Sequence, residues 1–271
     1  MYMSEEISNS RRAWIKKRKL REASIKLCKI GLLFFLIFLW EILARTNIID
    51  PFITSSPTRI IRTIGSLFQS GDLWRHIFIT TFEAVSGFVL GTFFGTLIAT
   101  LLWCSPFLCS VAEPYLVVLN ALPKIALGPI FIVWLGSGPR AIIIIALSIS
   151  LVVSILEVLG GFLTTDKEMI QLVKGFGGTK YQVLTKVVFP ANIGTIMGSL
   201  KINVGMSWVG VIVGEFLISK AGLGYLIVYG SQVFKLDLVM ASVVILAAVA
   251  TFMYFFIECM DKKMRGSSKH I

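Results

Sequence analysis

The stretch Gly31-Leu-Leu-Phe-Phe-Leu-Ile-Phe-Leu-Trp40 decides the class of the protein, because every side chain in it is apolar. The apolar character extends over about residues 27–46, with Glu41 as an interior charge. A helix needs about 20 such residues to cross the hydrocarbon layer of a bilayer. We therefore predict a first membrane-spanning helix over residues 27–46.

The rest of the chain has the same character. Hydrophobic residues make up 56% of the 271 residues and charged residues only 15%, which lies outside the range of soluble proteins. Further apolar stretches cover about residues 77–103, 109–135, 141–163, 193–218 and 238–259. The sequence thus predicts an all-α, polytopic membrane protein with about six transmembrane helices.

Basic residues set the expected orientation. The formal net charge is +11, and Lys and Arg crowd the ends of the chain and the loop at 164–192. Because cytoplasmic loops carry the excess of Lys and Arg, we expect a basic cytoplasmic tail at 1–26, an outer segment at 47–76, a cytoplasmic loop at 164–192 and a basic cytoplasmic tail at 260–271. This distribution indicates a membrane-lipid surface and not a nucleic-acid partner.

The outer segment carries its own helix signal. Ser56 can cap a helix that begins at Pro57, and Ser70-Gly71-Asp72 is a turn signal that ends it. Between them, one face of the predicted helix is apolar: Ile60, Ile61, Ile64, Leu67 and Phe68. We expect an amphipathic helix on the outer membrane surface.

Two features of the spans predict how they pack. Small residues recur every fourth position, which lets membrane helices approach closely: Gly87, Gly91 and Gly95 in one span, and Gly194 with Gly198 and Gly210 with Gly214 in another. The third span instead contains Pro114, Pro123 and Pro129, and so we expect it to be kinked or interrupted. An interrupted helix at membrane depth is tolerated beside protein or a watery cavity.

The loop at 164–192 predicts two short helices joined by a bend. Thr165 with Glu168 and Thr179 with Gln182 have the spacing of capping boxes, and Gly175-Phe-Gly-Gly178 separates them. In the second helix an apolar stripe is expected to dock against a partner on the cytoplasmic side: Tyr181, Leu184, Val187 and Val188.

This loop resembles that of the transmembrane subunits of bacterial ATP-binding cassette importers, of the alkanesulfonate, taurine, nitrate and bicarbonate permease type. Their loop signature is Glu-Ala-Ala, three residues, Gly, nine residues, Ile, one residue, Leu-Pro, and Gly177, Val187, Phe189 and Pro190 stand at that spacing. The Glu-Ala-Ala positions hold Gln171-Leu-Val173 instead. Similar matches run from about residue 55 to 259: Ser70-Gly-Asp-Leu73, Leu122-Pro-Lys-Ile-Ala-Leu-Gly-Pro129, Trp134-Leu-Gly-Ser-Gly138 and Gly222-Leu-Gly-Tyr225.

The resemblance implies a type I importer permease fold whose core covers residues 77–259. It implies two ATP-binding cassette subunits, an extracytoplasmic substrate-binding protein and a second permease copy, with ATP bound by the partner and no cofactor in this chain. The transported solute would be a sulfonate-like, nitrate-like or taurine-like anion, or a vitamin precursor, moved inward by alternating access. The residues implied to couple the chain to the ATP-binding subunit are Gln171, Lys174, Gly177, Thr179, Tyr181, Leu184, Val187, Phe189 and Pro190.

Polar groups inside the spans are candidates for the translocation path, since they cost several kcal/mol in lipid unless they are paired or hydrated. Glu83 stands where Arg is expected in this family, and a Glu83–Lys124 ion pair is the structural alternative. Lys201 and Glu157 lie close to loop ends, where long side chains can reach the interface. The candidate path residues are Glu83, Asn120, Lys124, Asn203, Trp208 and Glu215.

The sequence lacks the motifs of several other functions. It has no Gly-x-x-x-x-Gly-Lys-Ser/Thr phosphate loop, no His-Glu-x-x-His run and no Gly-x-Ser-x-Gly elbow. We therefore expect neither an enzyme nor a metal site. The remaining alternative is a secondary transporter driven by an ion gradient, which would show broken helices in both halves.

Overall fold

A computed structural model describes the backbone of residues 2–267. Within that range the chain is helical and contains no β-strand, as predicted. A 3₁₀ turn at Lys124–Leu127 precedes α6, and a π-helical turn at Leu184–Val188 follows α9. The α-helices are α1 (Tyr2–Arg45), α2 (Pro51–Thr54), α3 (Pro57–Gln69), α4 (Asp72–Cys104), α5 (Pro106–Ala121), α6 (Gly128–Leu135), α7 (Pro139–Leu163), α8 (Lys167–Gly175), α9 (Lys180–Val183), α10 (Phe189–Ala191), α11 (Ile193–Ile218), α12 (Leu223–Gln232) and α13 (Leu236–Ser267).

The described residues supply the expected number of spans. Five helical segments are long and apolar enough to cross a membrane: Lys16–Arg45, Asp72–Cys104, Pro139–Leu163, Ile193–Ile218 and Leu236–Met264. The pair Pro106–Ala121 and Lys124–Leu135 is bent by 87°, and counting it as one broken span gives six. The interruption predicted for the third span is confirmed.

The interruption lies at one of the three prolines. The chain breaks at Leu122-Pro123, whereas Pro114 lies inside α5 and Pro129 lies in the first turn of α6. A proline in the first turn of a helix removes no hydrogen bond that the helix would otherwise make. Pro129 therefore starts a helix and does not break one.

The ends of two helices differ from the prediction. α1 begins at Tyr2 and includes residues 2–26 of the predicted tail, and α13 continues to Ser267 beyond the predicted span end at 259. Lys, Arg and Glu are good helix formers, so the change from apolar to charged residues does not end a helix. The end of the predicted basic tail, with Lys269, lies outside the described residues.

The chain divides into two units, one up to Thr63 and one from Ile64 onward. In the first unit, the Glu41 carboxylate accepts hydrogen bonds from Arg45 Nε at 2.7 Å, Thr58 N at 3.0 Å and Thr58 Oγ1 at 2.7 Å. Arg59 N donates to Ser56 Oγ at 3.4 Å, so Ser56 caps α3 as predicted. Glu41, the charged residue inside the first span, thus binds the first turn of α3 through Thr58.

The apolar face predicted for α3 is only partly buried. In the second unit, Ile64 and Leu67 pack against the cluster that contains Leu73 and Leu223. Ile61 and Phe68 are 71% and 57% exposed instead. The face that the chain itself covers is therefore narrower than the five-residue stripe predicted from the sequence.

The second unit is organised around α7, which packs along α4 and α11. Gly87, Gly91 and Gly95 of α4 face small residues of α7 at the same four-residue spacing, Ala146, Ser150 and Ser154. On the other side, a Cβ at Gly210 of α11 would lie 2.5 Å from the Ala146 Cα, and one at Gly214 would lie 3.0 Å from Ile142. Close packing by small residues is confirmed for these five glycines.

Gly198 is an exception. A Cβ added there would meet no heavy atom within 4 Å, so this glycine makes no close helix contact within the described residues. The four-residue spacing from Gly194 to Gly198 is therefore not a packing motif of this chain alone. Spacing shows which residues share a helix face, but it does not show which face meets a neighbour.

Replacing Gly210 and Gly198 by alanine, one at a time, tests whether Gly210 packs closely against α7 and Gly198 does not. Gly210→Ala places a methyl group against the α7 backbone, and we expect it to lower the free energy of unfolding by about 1–3 kcal/mol. Gly198→Ala should leave it unchanged or raise it by up to about 1 kcal/mol, because alanine is the better helix former. Unfolding of the detergent-solubilised chain measures both, and equal destabilisation by the two variants would contradict this packing.

Candidate functional site

The loop between α7 and α11 begins with a cap that differs from the predicted one. Asp166 caps α8, and its Oδ1 accepts a hydrogen bond from Glu168 N at 2.9 Å. Thr165 instead accepts a hydrogen bond from Asn192 Nδ2 at 2.7 Å. The predicted Thr165–Glu168 capping box is therefore wrong, and Thr165 ties the start of the loop to its end.

The bend predicted between the two short helices is present. Gly177 N donates to Lys174 O and Gly178 N donates to Val173 O, both at 2.9 Å. Gly177 has φ +79°, a left-handed conformation that favours glycine. A Cβ at Gly178 would lie 2.6 Å from Val173 O. The glycines are thus required by the turn geometry.

The second capping box is confirmed. Gln182 N donates to Thr179 Oγ1 at 3.3 Å, and Thr179 N donates to Gln182 Oε1 at 2.8 Å. The helix that follows passes from α9 into the π-helical turn and α10. The loop is therefore an ordered pair of helices, not an irregular connection.

Of the four residues in the apolar stripe of the second helix only Tyr181 faces outward, in contrast to the prediction. Leu184, Val187 and Val188 are buried at 7%, 8% and 0% exposure. Leu184 and Val188 belong to the cluster formed with Val158 and Phe162 of α7. These side chains fix the loop to its own bundle, so Leu184 and Val187 are wrong as docking residues. A stripe on a short amphipathic helix has the same pattern whether it packs inward or binds a partner.

A different set of apolar side chains is exposed on the loop. Met169, Leu172, Phe176 and Tyr181 are 51%, 56%, 85% and 73% exposed, and we call them the loop face. The other predicted coupling residues on the loop surface are also exposed: Gln171, Lys174, Gly177, Thr179 and Pro190. Phe189 is half-buried, with its ring centroid 5.3 Å from that of Phe162.

Residues 87–266 match the family described as the binding-protein-dependent transport system inner membrane component. The chain belongs to this family. It is 27% identical over 84% of its length, and over 83% of the relative, to a Bacillus subtilis (strain 168) chain named as an aliphatic sulfonates transport permease protein, SsuC. It is 22% identical over 87% of each chain to the taurine transport system permease protein TauC of Escherichia coli (strain K12).

The fold is also shared with solved structures. A bacterial ATP-binding cassette transporter involved in the import of the acidic polysaccharide alginate aligns with a TM-score of 0.62 at 14% identity, over 91% of this chain and 99% of the other. The fold is that of type I importer permeases, as expected. The permease is thus a multi-pass inner-membrane component of a binding-protein-dependent importer of the ATP-binding cassette type. It is a transporter subunit and not an enzyme, and family membership favours it over the ion-gradient alternative.

Among the candidate path residues of the permease, Glu215 has a structural role. Its Oε1 accepts a hydrogen bond from Thr80 Oγ1 at 2.7 Å, and its Oε2 accepts one from Gly224 N at 2.5 Å. Thr80 Oγ1 also accepts from Leu223 N at 2.7 Å, and His76 Nδ1 accepts from Gly222 N at 2.9 Å. Side chains of α4 and α11 thus satisfy the free N–H groups at the start of α12.

Glu83 lies beside this network. It is 1% exposed, and its carboxyl group lies close enough to that of Glu215 for the two to interact electrostatically. Lys124 does not pair with Glu83, since its Nζ donates to Asn120 O at 3.1 Å and lies 3.5 Å from Asn120 Oδ1. The Glu83–Lys124 ion pair considered from the sequence is therefore wrong for the described residues.

The remaining candidates fall into two places. Asn203 and Trp208 are buried between helices at 0% and 4% exposure, and Asn203 Nδ2 donates to Ser154 Oγ at 2.5 Å. Asn120 and Lys124 lie at the break of the third span, where they are exposed and half-buried. The structure brings Glu83 and Glu215 together, whereas Asn203 and Trp208 are buried in helix contacts.

Sequence reasoning missed His76, Thr80 and Asp261. His76 and Thr80 stand one turn apart on α4, a polar pair at a spacing that places both on one face. Lys201 does not simply extend to the interface, because its Nζ pairs with Asp261 Oδ2 of α13 at 2.7 Å. The signal available in each case was a polar residue within or at the end of an apolar helix.

Thr80→Val tests the cap of α12. It removes the donor to Glu215 and the acceptor for Leu223 N, which leaves two buried groups without a partner and should lower the free energy of unfolding by about 1–3 kcal/mol. Thr100→Val is the matched control on the same helix, because Thr100 Oγ1 donates to Thr96 O of its own helix at 2.8 Å. We expect that variant within about 0.5 kcal/mol of the parent chain in detergent unfolding. Equal losses would count against the cap.

Proposed function

We propose that the loop face is the surface through which the ATP-binding subunit drives this permease. The observation that carries the proposal is the exposure of Phe176 and Tyr181, at 85% and 73%, on a loop that buries Leu184, Val187 and Val188 in the bundle. Aromatic side chains that enter a pocket of a partner supply much of the binding energy at protein interfaces. Exposed Lys174, Lys180 and Lys186 border this face and favour a partner groove with an acidic rim.

The contacts of the loop favour rigid transmission to the spans. Phe189 packs on Phe162 near the end of α7, and Asn192 bonds to Thr165 just beyond it. α7 in turn packs along α4 and α11. A displacement of the loop face would therefore move α7 and the helices beside it as one body, which is the rocking motion of alternating access.

We propose that the loop and both termini lie in the cytoplasm. ATP is hydrolysed there, and the segments at 1–26 and 260–271 carry the same excess of Lys and Arg as the loop. The outer segment at 47–76 then lies on the opposite side, where the binding protein would deliver solute.

We further propose that the importer contains two copies of this chain and two ATP-binding subunits. The broken span supports a second copy, because Asn120 and Pro123 are exposed at the break between its two helices. Irregular backbone there must face protein or water, and a second copy would enclose it as a path. The names of the relatives, for aliphatic sulfonates and for taurine, favour a small organic solute, with nitrate-like anions and vitamin precursors as the other expected classes.

Affinity purification of the tagged chain from detergent-solubilised membranes tests the docking surface. The double variant Phe176→Ala/Tyr181→Ala should recover at least about tenfold less ATP-binding subunit than the parent chain, because loss of buried aromatic contacts costs about 2 kcal/mol or more. The same variant should melt at the parent temperature, since both side chains are exposed. Phe252→Ala, which removes a 76% exposed ring from α13, is the matched control and should recover the partner fully.

A second comparison separates docking from folding. Leu184→Ala removes a buried side chain and should lower the free energy of unfolding by about 2–5 kcal/mol. Undiminished recovery of the ATP-binding subunit with the double variant, or a loss of recovery that follows only Leu184→Ala, would contradict the assignment of the loop face.

A further inference from the structure

A cavity of about 310 Å³ opens in the second unit where α4, α7 and the end of α11 meet. Its lining includes Ile79 and Glu83 of α4, the turn at 137–139, and residues 218–221 after the last turn of α11. Apart from Glu83, Lys220 and two serines, Ser137 and Ser219, the walls are formed by apolar side chains and glycine. The volume suits a small organic solute.

Glu83 is the unusual member of this lining. It is 1% exposed, and neither of its carboxyl oxygens has a hydrogen-bond donor among the described residues. A buried polar group without a partner costs several kcal/mol, and such groups in membrane spans are rare unless they serve a function. The free oxygens therefore indicate that a donor is missing from the protein itself.

The nearest polar groups do not supply that donor. The Glu215 carboxyl group beside Glu83 already accepts hydrogen bonds from Thr80 and Gly224. If the two carboxyl groups share one proton, the pair still keeps one negative charge in apolar surroundings. Lys220 lines the cavity with an exposed side chain but makes no ion pair with Glu83 in the described structure. A cation from outside the chain would complete the site.

We propose that this cavity binds the imported solute through a protonated amine or an equivalent cationic N–H group, held by the carboxyl group of Glu83. The inference rests on the proposed function in that the ligand is the transported solute. A charge-assisted hydrogen bond in a water-poor cavity is stronger than one between neutral groups. The position of Lys220 on the same lining permits an acidic group at the other end of the solute. The carboxyl pair thus selects solutes that carry an amine over those that carry only an acid.

Three small probes of similar size test the selection. Taurine carries an ammonium and a sulfonate group, 2-hydroxyethanesulfonate replaces the ammonium by a hydroxyl group, and ethanolamine keeps the ammonium and lacks the sulfonate. Thermal stabilisation of the detergent-purified chain, at constant ionic strength, gives a half-saturating concentration for each. We expect taurine and ethanolamine to act at concentrations at least about tenfold lower than 2-hydroxyethanesulfonate.

The isosteric variant Glu83→Gln should abolish this preference, whereas Glu157→Gln, which removes an exposed carboxylate from α7, should keep it. A second readout needs no variant. Dicyclohexylcarbodiimide labels carboxyl groups within membrane spans, and peptide masses should show that taurine or ethanolamine protects Glu83 and leaves labelling of Glu157 unchanged.

Several results would overturn the inference: an equal effect of all three probes, no effect of either amine, retention of the preference in Glu83→Gln, or labelling of Glu83 that amines do not change. Recovery of the ATP-binding subunit with the same purified chain tells the two proposals apart. If the chain recovers the ATP-binding subunit but is not stabilised by amines, only this inference is wrong. If it is stabilised by amines but does not recover the ATP-binding subunit, only the docking proposal is wrong.

Discussion

The closeness of three helices at α7 is the constraint on which the rest of the second unit depends. Ala146 meets Gly87 of α4 on one side and Gly210 of α11 on the other, so a single small residue sets both spacings. Lipid provides no hydrophobic force that would hold helices together, and the association depends on dispersion contacts between closely fitted backbones. A larger side chain at any of these positions would move two neighbours at once.

This close fit determines where polar groups can lie. Where Gly87, Gly91 and Gly95 of α4 meet α7 there is room only for short side chains, and the hydroxyl groups of Ser150 and Ser154 bond to backbone or to Asn203. Other polar side chains lie beside the start of α12. There Glu215, Thr80 and His76 serve the free N–H groups of α12, and Glu83 is left at the edge of a cavity. Glu83 lacks a donor because of its position: the N–H groups at the start of α12 already donate to His76, Thr80 and Glu215.

Much of this architecture could be predicted from the sequence. Apolar length gives the spans, Pro123 gives the break, and the spacing of Thr179 and Gln182 gives a cap, because each depends on residues close in sequence. What failed depends on partners distant in sequence. Leu184 and Val187 would form the same apolar stripe whether they packed on the bundle or bound a partner, and only the position of α7 shows that they pack inward. Glu215 in a span suggests transport, but its two oxygens accept hydrogen bonds from Thr80 of α4 and from Gly224 N of α12.

α7 connects the two surfaces for which a function is proposed. Phe162 near its end holds the loop through Phe189, and Ile142 near its start lines the cavity that contains Glu83. Twenty-five helical residues separate the ends of α7 by roughly 37 Å, a distance over which a continuous helix behaves as a rigid rod. A force on the loop face would thus reach the cavity without any change inside the helix. Because the cavity is also bounded by α4 and α11, a tilt of α7 against either of them would change the space around Glu83. Binding at the cavity and movement at the loop would then be linked in both directions, since any coupling between two sites is reciprocal.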